Sequence, residues 1–88
     1  MIGAYEFGNY SVPARMVAAI RRYVDDRIQP GDFLTAVICN DLCRAVGHAD
    51  CENLENLPAF VGYFRWEVPS NCWGSQEAMI HWIKGEKK

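Results

Sequence analysis

Four cysteines and two histidines are the residues here that metal or nucleophilic chemistry would draw on: Cys39, Cys43, Cys51, Cys72, His48 and His81. Cys39 and Cys43 stand at i, i+4 on one helix face, and His48 and Cys51 follow closely. Zinc would need more. There is no C-x2-C pair, and thiols pack well as small hydrophobes between helices, so buried free thiols are the expected reading. A Cys–His nucleophile pair needs only proximity in space. No nucleophile elbow, phosphate-cradling glycine loop or HExxH pattern accompanies it, however. The expectation is a non-enzyme without metal or cofactor.

Binding chemistry has more candidates. "GDFLTAVICNDLCRAV", residues 31 to 46, reads as one buried helix interrupted by Asn40 and Asp41. Asn40 lies about 200° around the helix from Ile38, and Asp41 falls near the edge of the Ile38 stripe. The pair is either an internally satisfied hydrogen-bonding device or a polar patch that orients a ligand in an apolar groove. Arg15 and Arg22 stand seven apart on one face of the first helix, where guanidinium forks suit phosphate or carboxylate. Arg21–Asp25 and Arg22–Asp26 are i, i+4 pairs with the cation N-terminal, the weaker orientation. The plainer reading of this face is solvated charge. Tyr5 and Tyr10 offer rings to a base. In "CWGS", residues 72 to 75, Trp73 and Gly74 precede a helix start that can favour an anion. The competing reading has Trp73 plugging the core.

Eighty-eight residues make one domain, with half of the residues hydrophobic. Trp66, Trp73 and Trp82 are more indole than so small an interior readily hides, which predicts a homo-oligomer. A second candidate surface is an exposed aromatic patch of Tyr63, Trp66 and Trp82. The net charge of −2 argues against affinity won by neutralising nucleic acid. A helix-turn-helix fails for the same reason. Its would-be recognition helix, "DCENLENLPAF", holds three acidic residues and no basic one, so DNA is not expected as a partner. No apolar stretch approaches the ~20 residues of a membrane span. "MIGAYEFGNY" lacks the pattern of a signal peptide, and four thiols fit a reducing cytoplasm.

The elements that must carry these residues read as helices. Residues 1–12, with Gly3, Gly8 and Asn9 between aromatics, read as an arm. Ser11 and Pro13 signal a helix start, and Val17, Ile20, Val24 and Ile28 form its stripe before "QPG" stops it. Asp32 is the expected N-cap of a second helix with Leu34, Ile38, Leu42 and Ala45 inward, ended by Gly47. Asp50 caps a third, carrying Leu54, Leu57, Val61, Phe64 and Val68 and kinked at Pro58 or split into two abutting helices there. Ser75 caps a fourth with Met79, Ile80 and Ile83 inward and Gly85 as its stop. Short connections favour antiparallel neighbours. The expected fold is an all-α, four-helix domain over residues 13–85, with 86–88 a frayed tail.

The run "PGDFLTAVICNDL", with "AD" at 49–50, Asn53, "LPAFV" at 57–61 and "CWGS", resembles a family of short phage- and prophage-encoded proteins. The resemblance spans residues 13 to 82. Cys39, Cys43 and Cys51 lie outside its pattern, which weakens the zinc reading further. It implies an accessory phage protein that acts by binding. The expectation is an antagonist of host defence that sequesters a small anionic, cyclic or linear, nucleotide through Arg15, Arg22, Asn40, Asp41, Tyr5, Tyr10 and Trp73. Its alternative is a module that masks a host defence or regulatory protein through Tyr63, Trp66 and Trp82. A structural or regulatory phage component is a third.

Overall fold

The computed structural model describes residues 3–85, so the tail expected to fray at 86–88 lies outside the described residues. Among the described residues, six helices and a two-stranded antiparallel sheet replace the expected four-helix, all-α domain. The chain runs β1 (Tyr5–Phe7), β2 (Tyr10–Val12), α1 (Ala14–Asp26), α2 (Asp32–Ile38), α3 (Leu42–His48), α4 (Cys51–Glu55), α5 (Leu57–Trp66), a 3-10 turn (Ser70–Cys72) and α6 (Gln76–Lys84). Three local events account for the difference.

The first lies in the expected arm. Tyr5, Phe7 and Val12 alternate with Glu6 and Ser11, and Gly8 takes φ +61° in the two-residue turn that joins β1 to β2. Glycine at the first turn position matches the twist of the flanking strands. Phe7 pairs with Tyr10 and Tyr5 with Val12, and the hairpin lies on α5. Gly62 permits this approach, because a Cβ there would stand 2.6 Å from the Phe7 ring.

The second is at Asn40. α2 ends in a Schellman arrangement, with Asn40 left-handed at φ 60°, its N–H on the Val37 carbonyl and the Asp41 N–H on the Ala36 carbonyl. Asparagine tolerates this conformation where most residues do not. Asp41 then caps α3, its side chain accepting from the Arg44 N–H at 3.1 Å. The polar pair that interrupts the apolar run is therefore a stop followed by a start. Gly47, expected to end a single long helix, sits inside α3. Asp41→Ala should cost about 1 kcal/mol, read as a lowered urea midpoint with an unchanged slope. An unchanged midpoint would mean that the cap does not hold α3.

The third separates α4 from α5 at Asn56, two residues before Pro58. Of the two alternatives for the third segment, the structure has two abutting helices and not a single helix kinked at a proline. Pro58 sits in the first turn of α5, where a missing N–H costs nothing. Asn56 closes the joint, accepting from the Ser11 N–H and donating to the Glu52 carbonyl. The inward set differs from the expected stripe on both sides of the break, with Phe64 kept. Ala59, Phe60, Tyr63 and Phe64 are buried, whereas Leu54 and Val61, expected inward, are exposed.

Elsewhere the helix starts and stops act as read, shifted by a residue at two starts. Pro13 stands at the N-cap of α1 while Ser11 lies in β2, and Gly31 precedes Asp32 at the start of α2. Asp50 and Ser75 cap α4 and α6 through their side chains, and Gly85 ends α6 in the left-handed region. Three residues expected inward are exposed: Ile28, which lies past the end of α1, Leu42, which opens α3 beyond the Asn40 stop, and Ile80 of α6. The core gathers Val12, Ile20, Tyr23, Ile38, Phe60 and Phe64 between hairpin and helices. Among the described residues, no helix is long and apolar enough to cross a membrane.

Candidate functional site

The seven residues expected to hold a nucleotide lie in different local settings. Arg15 is engaged with Glu52, an exposed pair that bridges α1 and α4. Arg22 is exposed and makes no ion pair among the described residues, whereas Arg21 pairs with Asp25 at 2.7 Å. Tyr5 packs edge-on against Tyr63 at 5.0 Å. Tyr10 lines a shallow hollow with Asn9, Glu55 and Asn56. Trp73 packs on Phe64 at 5.7 Å. The Gly74 N–H is bonded to the Ile38 carbonyl at 2.7 Å, which ties the "CWGS" turn to the end of α2. Asn40 is exposed and spends its backbone on the turn.

Asp41 lies in a polar cleft of about 360 Å³ between α2, α3 and α6, which sequence reasoning did not foresee. Asp32, Cys39, Arg44, His48 and Gln76 share its walls. The Arg44 guanidinium stands 3.5 Å from Asp41, and two carboxylates face the same space, a poor setting for a phosphate. Burial first, and the Asp41 carboxylate second, push the Cys39 thiol above its ordinary pKa, with Arg44 opposing. A thiol held protonated is a weak nucleophile. Its sulfur contacts Met79 Sδ at 3.9 Å. Among the described residues no group of three or more His, Cys, Asp and Glu is placed to hold a metal.

The cysteines divide by burial, which corrects the expectation that all are packed away. Cys43 and Cys51 are exposed, Cys39 is half-buried and Cys72 is buried, its pKa pushed up to about 11 chiefly by burial. Ellman's reagent at pH 8 should therefore take Cys43 and Cys51 quickly, Cys39 more slowly, and Cys72 only as the chain opens. Four equally fast thiols would contradict this packing.

The three residues of the expected aromatic patch also part company. Tyr63 is buried, and its hydroxyl accepts from Arg21 at 3.5 Å. Trp82 is half-buried, and its indole N–H donates to the Tyr23 and Val24 carbonyls at 3.2 Å each. These are last-turn carbonyls of α1, and the Tyr23 carbonyl also accepts from the Arg27 N–H at 3.0 Å. Arg27 lies over the indole at 4.1 Å and donates to the Trp82 carbonyl, which fastens α6 to the end of α1. Trp66 alone is left outside, 66% exposed. It borders an apolar groove of about 410 Å³ walled by Phe7 of β1 and by Leu57, Pro58, Val61 and Gly62 of α5. Arg65 lines the same groove, its guanidinium 5.1 Å from the Trp66 ring and without a carboxylate partner among the described residues. No sequence signal separated Trp66 from the other indoles, because the hairpin and α2 settle which side of α5 is covered.

Comparison with protein-family models, with curated proteins and with solved structures finds no match to this chain.

Proposed function

We propose that this chain is a non-enzymatic binding protein that masks another protein through the groove beside Trp66. The observation that carries the reading is a large aromatic left in solvent at the rim of an apolar groove, while the other two indoles are spent on packing and capping. Exposed tryptophan beside a pocket is the usual anchor of a protein interface. In the phage setting that the sequence resembles, the partner is a host defence or regulatory protein met in the cytoplasm.

Nucleotide capture is the weaker reading. The polar cleft presents Asp32 and Asp41 to any phosphate, and Arg15 and Arg44 already face carboxylates. The test is a photo-crosslinking residue in place of Trp66, irradiated in the producing cell. It should capture one partner that the same group at exposed Ile28 does not. The same proteins at both positions, or none at position 66, would remove the reading. Micromolar binding of a cyclic or linear nucleotide in calorimetry would return the function to nucleotide capture.

A further inference from the structure

The geometry points to an extended segment of the partner, rather than a helix or a second copy of this chain, as what the Trp66 groove takes, adding a third strand along β1. This inference rests on the masking function proposed above.

The hairpin register shows which backbone groups are free. Phe7–Tyr10 and Tyr5–Val12 flank the two-residue turn as the bonded pairs, so the N–H and C=O of Glu6 and Ser11 point away from the ladder. On the β2 side this outward position is closed, because the Ser11 N–H donates to Asn56 Oδ1 at 2.9 Å. On the β1 side Glu6 is exposed, and its backbone N–H has no partner among the described residues. Only Phe7 from the hairpin lines the groove, which places the groove beside β1 rather than β2. A strand laid along Glu6 would turn alternate side chains down toward Phe7, Val61 and Trp66, and the others to solvent.

Area and charge limit the occupant. Trp66 leaves on the order of 150 Å² in solvent, and Phe7 and Val61 add less. A stable protein pair buries about 800 Å² on each side, so this patch by itself suits a short segment and not a dimer face. The unpaired Arg65 beside Trp66 favours a carboxylate flanking the apolar residues of that segment. Glu6 is the central residue of a three-residue strand and offers one N–H and one C=O. The groove therefore supplies most of the affinity and the edge supplies direction.

The experiment is selection of a displayed random dodecapeptide library on the immobilised full chain, counter-selected with the Trp66→Ala variant. The expected result is a consensus with apolar residues at i and i+2 next to an Asp or Glu. A synthetic peptide of that consensus should lose at least tenfold in affinity when its central backbone amide is N-methylated. A consensus spaced i, i+3, i+4 whose binding tolerates N-methylation would overturn the strand and leave the groove as a docking site for a helix. Light scattering that finds a dimer dissociated by Trp66→Ala would give the groove to a second copy. No enrichment, or a consensus that binds the Trp66→Ala variant equally, would overturn the inference; crosslinking from position 66 then decides separately whether the groove docks a protein.

Discussion

Phe60→Ala is expected to lower the unfolding free energy by about 3–5 kcal/mol. Phe60 is fully buried and meets Phe33 edge-on at 5.0 Å, joining α5 to α2. Truncation removes the transfer energy of the ring and leaves a cavity that rigid neighbours cannot fill. Helices as short as α2 and α4 do not stand alone in water, so their order depends on this packing. A small domain has a total stability of about 5–15 kcal/mol, and the loss would consume much of it. Urea unfolding followed by far-UV circular dichroism measures it, and Phe60→Leu should restore most of the midpoint. A loss below about 1 kcal/mol would mean that the α2–α5 joint is not the centre of the core.

Trp66→Ala is expected to do the reverse: little change in the melting temperature and at least about a thirtyfold loss of affinity for the partner segment. The indole is 66% exposed, so its removal opens no cavity, and surface substitutions of this kind stay within about 0.5 kcal/mol. An aromatic anchor at an interface contributes about 2 kcal/mol or more, from which the thirtyfold figure follows. Trp82→Ala supplies the contrast. It deletes the indole donor to the Tyr23 and Val24 carbonyls and the ring beneath Arg27, so stability should fall while the groove keeps its walls. Differential scanning calorimetry beside titration with the selected peptide separates the two profiles. Equal effects of Trp66→Ala and Trp82→Ala on binding would contradict the division of labour between the indoles.

What the sequence determined by itself is what depends on neighbours along the chain. Asp50 and Ser75 cap their helices and Gly85 stops α6, because a short polar side chain and a missing Cβ act within a few residues. The inward stripe of Val17, Ile20 and Val24 was legible for the same reason, since one uninterrupted helix keeps its phase. The hairpin was written in "YEFGNYSV" too, as alternation around Gly-Asn. Two strands of three residues carry too little of that signal to stand against a flexible arm. Asn40 and Asp41 lie between these cases: their residue types announce a left-handed stop and a cap, but inside an apolar run the same types also suit a ligand patch. Tertiary structure decided the rest. In α5 it buried Tyr63 and left Val61 in solvent while keeping Phe64 inward as the stripe implied, because the hairpin and α2 settle which side of the helix is covered. Three tryptophans that are chemically alike received three fates through contacts 9 to 59 residues away in sequence: Trp73 on Phe64, Trp82 on the Tyr23 carbonyl, and Trp66 left in solvent. Such contacts form only when the elements meet, and no local pattern encodes which indole will find a partner.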